Sequence, residues 1–111
     1  MRLATLSTPD GPRLHVRAHG GGYVDIGEAT GDERFAAFGS FVAAGPAATE
    51  AARGLQDRDG REYPLSDFGP AVPAPERVLC LGLNYSEHAL EGGRAVPTWP
   101  CLLYTSDAAD E

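Results

Sequence analysis

Gly69-Pro-Ala-Val-Pro-Ala-Pro75 places three prolines in seven residues and divides the chain. Proline lacks a backbone N–H and disfavours helix at the residue before it, so the stretch suits neither a helix interior nor a central strand. It reads as a semi-rigid linker, with residues 71–76 as its body. Residues 1–70 are thereby a small N-terminal domain, and a second domain begins at residue 77.

The N-terminal part is patterned as an antiparallel meander followed by short helices. Residues 2–6 read as a first strand, and Ser7-Thr-Pro-Asp-Gly-Pro12 as a turn cluster. Leu14-His-Val-Arg-Ala18 alternates as a half-buried strand does, and Tyr23-Val-Asp-Ile26 gives a third strand after three glycines. His15 and His19 fall in this stretch and are expected to be exposed. Asp32 is a candidate N-cap for a helix with Phe35, Phe38, Phe41 and Val42 on one face, a pattern of core packing. Gly45-Pro46 ends that helix and opens another over Ala47–Arg53, closed by Gly54. Asp59-Gly60 is a hairpin signal, and Tyr63–Phe68 reads as extended. The class is α+β: antiparallel strands with one or two short helices, then the start of a second, mainly-β domain.

Composition narrows the function classes. The net charge is −7, and the nine basic residues are all arginine without a basic stripe, which speaks against nucleic acid as a partner. No apolar run approaches the roughly 20 residues of a membrane span, and the first ten residues lack a signal-peptide core, so a cytoplasmic location is expected. Cys80 and Cys101 form no zinc-type cluster with histidine, and Cys80 sits in an apolar strand pattern.

The chemistry gathers just after the linker. Val78-Leu-Cys-Leu-Gly-Leu83 is a continuous apolar run of the kind a fully buried strand shows. Asn84 and Ser86 are turn or cap residues, and Ser86-Glu-His-Ala-Leu-Glu-Gly-Gly93 fits one or two helical turns that Gly92 and Gly93 stop. His88 and Glu91 stand three apart, on one face of such a turn. A carboxylate beside an imidazole fixes its tautomer and raises its basicity, which suits a general base acting beside a carbonyl. The same spacing is common on solvated helix faces, and spacing alone leaves both readings open.

Leu79-Cys-Leu-Gly-Leu-Asn-Tyr-Ser-Glu-His-Ala-Leu-Glu91 resembles the signature with which fumarylacetoacetate hydrolase family proteins enter their catalytic domain. Cys80, Gly82, Asn84, Tyr85, His88 and Glu91 match its Cys-x-Gly-x-Asn-Tyr-x-x-His-x-x-Glu pattern, flanked by Pro73, Pro75, Pro97 and Pro100. Residues 1–70 are similar to the accessory domain of the family's bacterial branch. The resemblance implies that His88 is the general base and Glu91 its orienting partner. It implies a divalent metal, Mg²⁺ or else Mn²⁺ or Ca²⁺, holding a small 2-oxo acid or β-diketone as its enolate. Hydrolysis of a C–C bond, decarboxylation, hydration and isomerisation all pass through that enolate, in roles such as aromatic-compound catabolism. The family's metal ligands lie downstream of the motif, so none is assigned here, and the intact parent is expected to be a homodimer.

On this reading residues 77–100 are the truncated start of the catalytic domain, and the fragment alone is expected to be inactive. Residues 101–111 resemble a translated sequencing adapter, read as non-native and expected to make few contacts. The competing reading is a small stand-alone binding module in which His88 and Glu91 are surface residues.

Overall fold

The computed structural model describes residues 1–75, 77–82, 90–93, 95–96, 98 and 101–104. It has two compact units, Met1–Ala74 and Pro75–Glu111.

The first unit is built on a three-stranded antiparallel sheet of β1 (Leu3–Thr8), β2 (Gly11–Arg17) and β3 (Tyr23–Asp25), in the order β1-β2-β3. β1 and β2 are in register from Leu3 opposite Val16 to Thr8 opposite Gly11. The strands thus run into the segment expected to be all turn, leaving only Pro9 and Asp10 as the loop. Two features allow so tight a connection. Gly11 takes φ +102°, and the Thr8 hydroxyl donates to the Gly11 carbonyl at 2.8 Å while accepting from the Asp10 N–H at 3.3 Å.

Residues opposite each other in an antiparallel pair share a face. The registers therefore sort the sheet into two sides, Leu3, Thr5, Leu14, Val16 and Val24 against Ala4, Leu6, Arg13, His15, Tyr23 and Asp25. The first side carries the main core, where Leu14 and Val16 pack with Ile26, Phe35, Phe41, Ala48, Ala52 and Leu55. Those partners come from α1 (Ile26–Thr30), a 3₁₀ turn at Glu33–Phe35, α2 (Phe38–Ala43) and α3 (Pro46–Gly54), followed by Leu55.

α1 starts where the third strand was expected to finish. The Asp25 carboxylate accepts from the Glu28 N–H at 2.9 Å, an N-cap that turns the chain out of β3 at once. The phenylalanine stripe does not lie on one helix. Ala37 is extended (φ −121°, ψ 145°), and the Ala36 carbonyl accepts from the Leu14 N–H of β2 at 2.7 Å. A carbonyl captured by the sheet is lost to the helix ladder, so the segment breaks into a 3₁₀ turn and α2. Phe35 and Phe41 still meet edge-to-face at 6.2 Å, whereas Val42 is 58% exposed. α3 follows the expected punctuation, with Gly45 at φ +68° and Pro46 in the first turn.

The second face is covered by a strap, residues 61–69. At one edge Tyr23 and Arg61 exchange backbone hydrogen bonds of 2.8 and 2.9 Å; at the other Phe68 bridges Leu6, and the Gly69 N–H donates to the Thr5 carbonyl at 2.9 Å. Between these anchors Leu65–Asp67 forms a 3₁₀ turn rather than the expected extended run. Phe68 stacks edge-to-face on Tyr23 at 5.4 Å, and Leu6 beneath is fully buried. Asp59-Gly60 is not a hairpin turn. A Cβ on Gly60 would lie about 2.6 Å from the Gly22 carbonyl carbon, and one on Gly22 equally close to that of Gly60. Glycine there permits the backbone approach that starts the strap.

In the second unit β4 (Leu79–Gly82) pairs antiparallel with β5 (Cys101–Tyr104), Leu79 opposite Tyr104 and Gly82 opposite Cys101. One expectation changes. Residues 101–104 were expected to make few contacts and instead supply a strand, their apolar Cys-Leu-Leu-Tyr sequence being well suited to a ladder. The run at 78–83 has the pattern of a strand that a complete domain buries on both faces; here Val78 is 45% and Leu79 60% exposed, because one partner strand covers an edge and not a face. Leu90 and Glu91 are helical, and the Gly93 N–H donates to the Leu90 carbonyl at 3.0 Å with Gly93 at φ +65°. That left-handed residue closes the turn as Gly92-Gly93 was expected to do. Among the described residues no helix is long and apolar enough to cross a membrane.

Candidate functional site

Of the motif residues, Cys80 and Gly82 lie on β4, and Glu91 lies on the last helical residue before the Gly92-Gly93 turn. Glu91 is exposed. His88, Asn84 and Tyr85 fall outside the described residues. Strand β4 and the helical turn at Leu90–Glu91 are the framework that brackets the motif.

A second concentration of ionisable groups lies on the strapped face of the first unit. His15 was expected to be exposed and is fully buried. Alternation along β2 suggested a solvent face, but the strap, contributed by residues nearly fifty positions later, turns it into a second interior. The His15 Nδ1 lies 2.9 Å from the Arg13 carbonyl, which can only accept, so Nδ1 carries the hydrogen and donates. In the neutral ring Nε2 is then the acceptor for the Tyr63 hydroxyl at 3.2 Å, and the two rings meet edge-to-face at 5.2 Å. The Asp25 carboxylate stands 4.0 Å from Nε2.

Asp25 itself is bound twice by Arg13, at 2.5 Å from Nε and 3.2 Å from the terminal nitrogen, besides capping α1. The same guanidinium reaches both Glu33 oxygens, at 3.1 and 3.2 Å. Burial pushes the Asp25 carboxyl up, but the hydrogen bonds from Arg13 and the Glu28 N–H outweigh it and hold the carboxyl below its ordinary value. Arg13 is raised above its ordinary value, chiefly by its hydrogen bond to Asp25 and then by that to Glu33. Chemically this network is closed. Each nitrogen of His15 is engaged, and no part of its ring reaches solvent. It anchors the strap to the sheet; it does not present a base to a substrate. The signal that could have revealed it is the i, i+2 pairing of Arg13 with His15 on one strand face opposite Asp25 on the next strand.

Among the described residues no three His, Cys, Asp or Glu side chains converge to hold a metal ion. His15 and His19 do not come together: His19 is on the surface and its Nδ1 lies 3.0 Å from Asp57.

Compared with known proteins, the chain is 26% identical over 107 residues, 93% of its length, to "Oxaloacetate tautomerase fahd2, mitochondrial" of Xenopus laevis. That relative is a FAH-domain enzyme. The chain spans about a third, 34%, of the relative's length. No protein-family model matches the chain. The similarity is distant, and it runs through the first unit and the motif alike rather than through the motif alone.

Proposed function

We propose that the chain belongs to a fumarylacetoacetate hydrolase-family enzyme that moves a proton at the carbon beside the carbonyl of a 2-oxo acid, with His88 as general base and Glu91 as its orienting partner. The observation that carries this reading is the similarity to an oxaloacetate tautomerase over 93% of the chain, spanning the Cys80–Glu91 motif. Of the reactions open to a metal-bound enolate, the relative's name favours isomerisation.

In such an exchange His88 takes a proton from the carbon next to the keto group, and a proton is gained at the keto oxygen, giving the enol. The reverse transfer restores the ketone with atoms and charge balanced. Glu91, three residues on, accepts the imidazole N–H and so fixes which nitrogen faces the substrate. A divalent ion such as Mg²⁺ supplies charge stabilisation to an enolate when bound. Among the described residues no three His, Cys, Asp or Glu side chains converge to hold it; the family resemblance puts its ligands downstream of the motif, and a homodimer acting on a small molecule is the assembly we infer.

The test uses the full reading frame and follows the enol of oxaloacetate by its ultraviolet absorbance. His88→Ala should lower the interconversion rate by about 10²–10⁴-fold, the usual contribution of a positioned base. Glu91→Gln should lower it less, and Mn²⁺ binding should be unchanged in both. Full turnover by the His88→Ala protein would refute the assignment.

A further inference from the structure

We infer that the end of the sheet formed by Arg2 and Arg17 is a binding site for a compact dianion, a dicarboxylate or an inorganic phosphate. The β1–β2 register places Leu3 opposite Val16, and the Arg17 N–H donates to the Arg2 carbonyl at 2.9 Å. Arg2 therefore stands directly across from Arg17, one step beyond the paired strands, with both side chains on the same face. Like charges in that relation destabilise a sheet. Arg13 is paired with Asp25 and Glu33, Arg34 with Asp32, and Arg53 with Glu50, while Arg61 lies over the Tyr63 ring. Among the described residues neither Arg2 nor Arg17 has such a partner, in a chain of net charge −7.

The two arginines line one cleft of about 410 Å³, with Met1, Ala18, His19 and Gln56 as its other walls. The cleft is fixed from behind. The His19 N–H donates to the Gln56 carbonyl at 2.8 Å, the Gln56 side-chain amide donates to the Arg17 carbonyl at 3.4 Å, and the Ala18 N–H donates to the Gly22 carbonyl at 3.1 Å. Two guanidinium forks on a rigid ladder suit a ligand with two anionic ends or one doubly charged centre, since each fork can bind an oxyanion with paired N–H groups. The site lies in the first unit and stands independently of the role given to His88.

The experiment is thermal unfolding of the 111-residue chain in sodium succinate or sodium phosphate, against sodium chloride at matched ionic strength. At ten times the dissociation constant, binding favours the folded state by about eleven-fold, a rise of several degrees in midpoint for a unit of this size. Arg2→Gln and Arg17→Gln should each abolish the rise; Arg53→Gln, on the exposed face of α3, should keep it. The Nε–H resonances of Arg2 and Arg17 should move on titration in the parent chain. A rise with succinate alone assigns a carboxylate ligand, and one with phosphate alone a phosphate. A rise equalled by sodium chloride, or retained in both Arg2→Gln and Arg17→Gln, overturns the site.

Discussion

The two units differ in the core they have. In Met1–Ala74, Leu6, Leu14, Val16 and Ile26 are at most 1% exposed, although Val42 and Leu65 of the same unit lie on its surface, while among the described residues of the second unit Val78, Leu79, Leu90 and Val96 are each at least 45% exposed. The first unit has helices on one face of its sheet and a strap on the other, so every strand is covered twice. The second has a two-stranded ribbon, an arrangement that is marginal in water without further strands or a helix to pack on. Leu79, on β4, is 60% exposed, and the chain spans 34% of its relative's length.

The contrast is most easily broken at Asp25. Its carboxylate holds Arg13, caps α1 and faces His15. Asp25→Ala leaves a guanidinium only 18% exposed without its main partner, a change that costs about 3–5 kcal/mol when a buried pair is cut. That is a large share of the stability of a unit this size, and urea unfolding should show it as a collapse of the midpoint. The same carboxyl sets a pH dependence. Its folded value lies below its ordinary 3.8, so its contribution is complete above that pH and disappears as pH falls through the folded value. Asp25→Asn should flatten the acid limb of stability against pH; an unchanged limb would place the dependence elsewhere.

Leu14→Ala tests the helical side of the same sheet. Leu14 is 1% exposed in the main core, and its truncation should cost about 2–5 kcal/mol, read from the urea midpoint at unchanged slope.

These two sites also mark what could be read from sequence. Leu14 and Val16 follow the period-2 pattern of a strand, and the α+β class, the three strands and the Gly45-Pro46 boundary follow from local chemistry of that kind. His15 does not. Its burial depends on Tyr63, forty-eight positions away, and on a glycine-to-glycine approach at Gly22 and Gly60 that no local pattern announces. The split phenylalanine stripe has the same origin: a β2 amide takes the Ala36 carbonyl out of the helix ladder. The motif from Cys80 to Glu91 was legible as a motif, though Asn84, Tyr85 and His88 fall outside the described residues.

Tyr63→Phe isolates the strap. Removing the hydroxyl leaves the fully buried His15 Nε2 without its donor while keeping the ring stack, and should cost about 1–3 kcal/mol. Amide exchange should quicken at Arg61 and Gly69, the two strap amides bonded to the sheet edges, before it quickens in α3. Uniform acceleration across the unit would show that the strap is not a separable element.

The smallest effect is expected at Leu79, and it sharpens the comparison most. In the 111-residue chain Leu79 is 60% exposed, so Leu79→Ser should change stability by no more than about 0.5 kcal/mol, while reducing binding of a hydrophobic dye. In a protein about three times as long, where β4 is a central strand, the same side chain would be enclosed. The substitution should then cost about 2–5 kcal/mol, the range for emptying a core position, with added cost from burying a hydroxyl. Measuring both proteins separates two accounts of the exposed strand. A large loss only in the longer protein means that β4 is a core element separated from its core. Near-zero effects in both mean that the ribbon is a surface feature, and the motif that follows it would lose its rigid support.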